Sequence, residues 1–574
     1  VRMLRGDGSL VGLLLLLPTA LAGLLRRNEL LNGDVLYALG GLRHALAGGV
    51  PFDEIFIARP YTYKLVMGLL HLSAPADSAA IDYATHRRIL LLSLLALLLV
   101  TLLLFVALRR WSSTRSAAVV ASAVSAALAF APKWDVLEPD WVAAVVAVCA
   151  FAAALLPRAE RLGWILGGTL LCLTATMKLS TAAFAATVVV LLWLVDRRRA
   201  VGAALVGTFV SGVWFVLYRI VQPIEWMWFG DQAALVHDSP IHRMPRLSDL
   251  GDLLFALTNK SVVSPVLVAG PAVIALYMSA ATTRAQRRER ALVSALLVVT
   301  ALASGYAQGE WFLYHFANLP ILVTGLWAVQ LVRANSRVRA VLLIGPAAVA
   351  VVAAAVMTQP PLAADAANTW VTIGVWVSAL GMAVLAVRWR ESGSASSRRD
   401  QPVRPVLLWA APTVACLLGL AGTLPASTLA YSGAVNATST ARAPYHADAL
   451  ATLLRSRSAA VDRLTSRLGG PDVPVLYLTY GGRTALLPFP ATCAYPSPQW
   501  LQRASRHPFV TTMDSYSDNF DCVSDPRPRW LIVQSDWMDL DHAPTALQSA
   551  LRQHYDCTRS LPTIVEDLVV CPRR

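Results

Sequence analysis

The sequence predicts a polytopic α-helical membrane protein with a small α/β domain at its C-terminal end, and three observations predict it. Of 574 residues, 56% are hydrophobic and only 15% charged. Apolar runs of membrane-spanning length recur through the first three quarters of the chain. The last 145 or so residues (430 to 574) lose those runs and take on the composition of a water-facing domain. The formal net charge of +14 raises nucleic acid as a partner. Its Arg residues, however, sit in short clusters between apolar runs, the pattern that orients a chain in a bilayer, so nucleic-acid binding is set aside.

About thirteen spans follow from the requirement of roughly twenty apolar residues each. They lie near 9–25, 89–108, 116–132, 141–156, 162–177, 182–195, 200–221, 262–281, 291–305, 317–332, 339–357, 370–387 and 405–423. The first is read as a retained signal anchor, because no small-residue cleavage site follows it. Alternate loops, at 109–115, 158–161, 197–199, 284–290, 333–339 and 388–404, carry the Arg clusters. Basic residues in short loops stay cytoplasmic. The N-terminus is therefore expected in the cytoplasm of a multi-pass plasma-membrane protein, with the first loop and the C-terminal domain outside. The segment 388–404, with GSASSRRDQP in its middle, reads as a flexible linker.

These features divide the chain into a transmembrane domain, 1–429, with a large first outer loop at 26–88, and a soluble domain, 430–574. In the latter, VPVLYLTY at 473–480 and RWLIVQS at 529–535 read as strands between helical and turn-rich stretches. Cys149, Cys172 and Cys416 fall within spans, where a thiol acts as a small apolar group. Cys493, Cys522, Cys557 and Cys571 all fall in the outward domain and read as two disulfides. Four cysteines allow three connectivities, of which Cys493 with Cys522 and Cys557 with Cys571 is favoured. Zinc is the competing reading, but there is no CxxC and no His at ligand spacing, and no metal is expected.

Ionisable and aromatic residues concentrate in the outward loops. The first, from RRNELLNGDVLY to IARPYTYK, holds Asp34, Tyr37, Arg43, Asp53, Glu54, Arg59 and Lys64. Others hold KWDVLEPD at 133–140, the stretch from QPIEWMWFGDQ at 222, and YAQGEWFLYHF at 306–316. Ionisable groups at one membrane face, rather than buried mid-span, point to a site at the outer interface and not to an ion pathway.

Asp34 shortly after the first span, the D-x-x-Y, G-G-V-P-F and R-P-Y-T-Y of the loop that follows, E-P-D at 138–140 and the segment E-W-F-L-Y-H-F with His315 resemble the GT-C superfamily of integral-membrane glycosyltransferases that use lipid-linked sugar donors. Span number and the terminal outer domain look like the branch containing aminoarabinose transferases and actinobacterial arabinosyl- and mannosyltransferases. The sequence departs from many members in lacking adjacent acids after the first span. The resemblance implies a GT-C-like fold and an inverting enzyme. That enzyme moves a sugar from a polyprenyl phosphate to a cell-envelope glycan, lipid or protein at the outer face, with the bilayer and these substrates as partners and no cofactor.

Such chemistry needs a carboxylate to take the acceptor proton and cations to stabilise the departing phosphate. Asp34 is the candidate base; its plainer role is to cap the helix DVLYALGGLRHAL. Glu138, Asp140, Asp53 and Glu54 are acceptor-binding or supporting acids, and capping is the plainer role of Asp140. Arg59, Lys178 and His315 are candidates for the donor phosphate. An ion pair with Asp53 or Glu54, snorkelling and interfacial packing, respectively, are the alternatives. Trp228 and Trp311 suit stacking on a sugar, although Trp is enriched at every membrane interface. Two other classes stay open: a transporter or flippase for an envelope lipid or glycan, and a non-catalytic envelope-assembly protein. Transporters tend to show paired halves and broken spans, and no internal repeat is apparent.

Overall fold

The structure, a computed structural model, describes residues 2–574 apart from 27–30, 74–78, 133, 239–245, 309–310, 358–363, 394–404, 427–458, 525–526 and 562–567. Glu29, most of the expected linker and the first part of the expected soluble domain lie outside the described residues. The chain forms two compact units, one of residues 1–27, 91–211 and 244–445, the other of 28–90, 212–243 and 446–574. The first outer loop thus folds into one unit with the terminal region, a grouping that the expected division at 429 did not contain.

The first unit is helical. Among the described residues, five helices are long and apolar enough to cross a membrane: Tyr83–Leu108, Arg197–Val221, Arg284–Gln308, Leu313–Arg333 and Thr372–Arg390. Five more apolar helices are shorter: Ser9–Leu25, Thr114–Ala129, Pro139–Leu155, Leu179–Val195 and Ala410–Leu420. About thirteen spans are expected, several of them short; the described helices fall near those positions, five of them at full spanning length and five shorter. The expected span 262–281 is instead part of a broken pair, Leu250–Val263 and Pro265–Ser279, bent by 114°. The cause is local, because Pro265 has no N–H to continue the helix and forces the preceding residue out of it. Ser264 accordingly sits at φ −139°, ψ 73°.

Small residues let the helices of this unit approach. A Cβ on Gly167 would lie 2.7 Å from Ala154 Cβ, and one on Gly163 would lie 2.5 Å from the Ala154 carbonyl oxygen. Pro139–Leu155 and Glu160–Thr176 therefore pack backbone to backbone, the close approach that a small-xxx-small pattern permits. Ser122 Oγ donates to Leu14 O at 2.6 Å, and Arg199 Nη1 donates to Ala154 O at 2.7 Å, which satisfies a carbonyl at the end of a helix.

The second unit is built on a three-stranded sheet in the order β1 (Val475–Leu478), β2 (Trp530–Gln534), β3 (Leu568–Pro572). β1 and β2 run parallel with Val475 opposite Trp530, and β2 and β3 run antiparallel with Ile532 opposite Val570. β1 and β2 are buried throughout, as continuous apolar strands covered on both faces must be. Tyr477, Phe489, Trp530, Ile532 and Val570 form the core on one face. Cys493 is bonded to Cys522, and Cys557 to Cys571.

The first loop is hydrogen-bonded into this unit. Ala491 N donates to His44 O at 2.9 Å, Phe56 N to Ala494 O at 2.8 Å, and Ile81 N to Ala485 O at 2.8 Å. Contact is close enough that a Cβ on Gly40 would meet Ala485 Cβ at 2.5 Å, and one on Gly48 would meet Ala491 O at 1.8 Å. The helix Pro223–Asp238 is held to the same unit by Asp231, whose Oδ2 accepts from Ser515 N at 2.8 Å, and by Gln232, whose Oε1 accepts from Arg503 at 2.9 Å.

Candidate active site

Asp34 sits in the first turn of the helix Gly33–Ala47, whose N-cap is Asn32: the Asn32 side chain accepts from Asp34 N at 3.2 Å. The capping role considered for Asp34 thus belongs to its neighbour, and the Asp34 carboxylate is turned elsewhere. Tyr480 OH, at the end of β1, donates to its Oδ1 at 2.5 Å. Arg59 Nη2 lies 3.5 Å from its Oδ2, and about a quarter of each of these two side chains is exposed. The Tyr37 ring stacks on Tyr480 with centroids 5.6 Å apart, and the Arg59 guanidinium lies over the Tyr37 ring at 5.7 Å. Burial, then the adjacent Asp34 charge, push the Tyr480 hydroxyl well above the usual tyrosine range. Burial pushes Tyr37 up to about 12 despite Arg59. Both phenols stay protonated, so Tyr480 is a fixed donor to the carboxylate.

The backbone supports this arrangement with strain. Ala58, directly before Arg59, has φ 50°, a left-handed conformation costly for a residue with a Cβ. Arg59 pairs with Asp34. Asp53 and Glu54 are exposed in the turn at 52–54.

A second ionic cluster in this unit escaped the sequence. Lys64 Nζ is 3.1 Å from Glu225 Oε1, with both side chains buried, and it also donates to Ile55 O at 2.9 Å and Gln222 Oε1 at 3.0 Å. Tyr218 OH donates to Glu225 Oε2 at 2.6 Å. Burial pushes the Lys64 ammonium down and the Glu225 carboxyl up, and each partner's charge opposes that shift. Trp228, expected to stack on a sugar, is instead buried against Phe56 and Phe229, with centroids 6.0 and 5.0 Å away.

In the other unit the structure brings together Asp140, Lys178 and His315. Asp140 is fully buried in the first turn of Pro139–Leu155, where Glu138 occupies the N-cap position with no side-chain capping bond. Capping is therefore not the role of Asp140. Its Oδ2 accepts from Lys178 Nζ at 3.3 Å, and its Oδ1 accepts from Ser304 Oγ at 3.4 Å. Lys178 Nζ also lies 3.3 Å from His315 Nε2 and 5.7 Å from the centre of the Tyr314 ring. With 27% of its side chain exposed, Lys178 is accessible to an anion, whereas His315 is buried beneath it.

Nearby in sequence, Leu137 has φ 67°, so Glu138 too follows a strained residue. Asp135 pairs with Lys260 at 2.6 Å, both buried, and burial raises the Asp135 carboxyl against the pull of Lys260. Sequence reasoning missed this pair as well. Trp311 packs with Leu253, Ala256, Phe316 and Leu319; this closed apolar cluster does not leave the open ring face that sugar stacking requires. Among the described residues no group of three or more His, Cys, Asp or Glu side chains is placed to hold a metal ion.

No family model matches the chain. No curated protein sequence matches it either. Solved structures do. The crystal structure of ArnT from Cupriavidus metallidurans bound to undecaprenyl phosphate is similar with a TM-score of 0.54 at 18% identity, over 99% of this chain and 98% of that one. The apo structure of the same protein is similar with a TM-score of 0.51 at 17% identity, over 99% and 98%. The whole chain therefore shares the fold of that protein.

Proposed function

We propose that this chain is a membrane glycosyltransferase that moves a sugar from a polyprenyl-phosphate donor to a cell-envelope glycan, lipid or protein at the outer face, with inversion. The observation that carries the reading is the Asp34 carboxylate, held by Tyr480 and Arg59 yet partly open to solvent. A carboxylate so fixed is suited to accept the proton of an acceptor hydroxyl as that oxygen attacks the sugar's anomeric carbon, and a positioned base contributes about 10²- to 10⁴-fold. Tyr480 and Arg59 act as positioning groups that orient Asp34.

Within the first unit, Lys178, an accessible ammonium anchored by Asp140 and His315, is the candidate for binding a lipid phosphate. Glu138 and Asp140 are supporting acids in this scheme, and Asp34 is preferred over Asp53 and Glu54 because those two lack its fixed setting. The fold shared with ArnT, whose structure holds undecaprenyl phosphate, supports the choice of donor. Inward placement of the N-terminus and outward placement of the terminal region remain part of the proposal and rest on the alternation of Arg-rich loops.

The broken pair Leu250–Val263 and Pro265–Ser279 favours the transporter reading, since discontinuous helices form transporter sites. Inverted repeats would supply two such pairs, and among the described residues there is one. The purified chain, incubated with a radiolabelled polyprenyl-phosphate sugar and envelope glycan or lipid acceptors, tests the reading. Transfer reads out as free polyprenyl phosphate released one for one with an inverted glycoside. Movement of labelled lipid across vesicles without glycoside formation would replace it with the transporter reading.

A further inference from the structure

A groove of about 890 Å³ lies within the first unit, apart from the Asp140–Lys178–His315 cluster, none of whose members lines it. Its walls are apolar, with Leu104, Val124, Ala147, Phe184, Val188 and Leu297 among them. Along the helix Asn318–Arg333 it is lined from the first residue to the last. Fifteen steps at 1.5 Å make that about 23 Å, more than one leaflet of a hydrocarbon core roughly 30 Å thick. Such a space left empty would forfeit the dispersion contacts that hold helices together.

The two ends of the groove differ in charge. Among the described residues that line it, Phe184 and Asn318 mark the end without ionised groups, whereas Arg197, Arg290 and Arg333 line the other, with Glu289 as the one acid. Glu289 is bound to Arg197. Arg290 donates one Nη1 to Tyr277 O at 2.8 Å and lies over the Tyr277 ring, and Arg333 is exposed. Trp111 and Trp193 stand at the same end, as aromatic residues do at a membrane interface. An acyl-length apolar slot ending in excess guanidinium matches an amphiphile with an anionic phosphate head.

We infer that this groove is a structural site for one anionic phospholipid, its acyl chains along Asn318–Arg333 and its phosphate between Arg290 and Arg333. Polyprenyl phosphate fits less well, since a donor seated there would hold its phosphate at the Arg end of the helix, away from Lys178 and His315. The lipid replaces missing helix contacts and neutralises the basic end. The site is independent of whether the chain transfers sugar.

Native mass spectrometry of the full-length protein in mild detergent tests this, with phosphatidylglycerol and phosphatidylcholine of equal acyl length as probes. One phosphatidylglycerol should be retained at least about tenfold more tightly than phosphatidylcholine, because choline's fixed positive charge cancels the attraction of the phosphate to the guanidinium groups. R290Q combined with R333Q should abolish that preference. Separately, A147F should fill the wall and expel the lipid with the Arg residues intact. Equal retention of the two lipids, a preference that survives the double Arg substitution, or one-for-one displacement by undecaprenyl phosphate would each overturn the proposal.

Discussion

Replacing Tyr480 with Phe removes one oxygen and leaves nearly everything else. The ring keeps its stacking on Tyr37 at 5.6 Å, and Arg59 remains 3.5 Å from the far carboxylate oxygen. What disappears is the 2.5 Å donation to Asp34 Oδ1. A hydrogen bond to a charged group is worth about 1.5–3 kcal/mol, so kcat/KM for sugar transfer should fall roughly ten- to a hundredfold at 1.36 kcal/mol per decade. If Tyr480 orients the base, the loss appears chiefly in kcat, while the melting temperature moves by a few degrees at most. Steady-state transfer by Y480F, alongside its thermal unfolding in the same detergent, separates the cases. Unchanged kcat with a large drop in melting temperature would make Tyr480 a packing residue and remove it from the site.

Three further outcomes are expected. Lys64→Met should destabilise the second unit by about 3–5 kcal/mol, because it strands the Glu225 carboxylate in an interior where both partners are now buried, whereas Lys64→Met combined with Glu225→Leu should recover most of that loss; a double variant no more stable than the single one would refute it. His44, which burial pushes down to about 4 although it donates to Phe489 O at 2.7 Å, stays neutral when folded and titrates near 6.5 when unfolded. Its contribution is therefore intact above about pH 6.5 and is lost progressively as pH falls towards 4, by up to about 3 kcal/mol; thermal unfolding of wild type and His44→Gln between pH 7.5 and 4.5 checks this, and equal slopes would contradict it. Lys178→Gln should lower kcat/KM for the polyprenyl-phosphate donor by about ten- to a hundredfold with little change in the acceptor's KM, and a loss confined to acceptor binding would assign Lys178 to the wrong substrate.

The sequence made the membrane class readable because apolar runs are a one-dimensional signal. It also marked Asp34, Asp140, Lys178 and His315 as residue types that a plain connector does not need. It did not show that Asn32 takes the cap, because Asn at 32 and Asp at 34 are both good caps and only the backbone geometry chooses between them. Tyr480 lies 446 residues from Asp34, and nothing local to VPVLYLTY announces a partner so far away. The Lys64–Glu225 and Asp135–Lys260 pairs were invisible for the same reason. Trp228 and Trp311 misled because composition at a membrane interface does not tell a buried indole from an open one. The break at Ser264–Pro265 was written in the sequence, but a hydropathy window averages across a single proline.

The most direct test of the account is single-turnover sugar transfer by Asp34→Asn. Asn at this position keeps the size of the side chain, and Asn32 still caps the helix, so the variant should insert and unfold like wild type. An amide cannot take the acceptor's proton, and transfer should fall by at least about a hundredfold, or roughly 2.7 kcal/mol of transition-state stabilisation. Wild-type rates from a normally folded Asp34→Asn would contradict the assignment of Asp34 as the base.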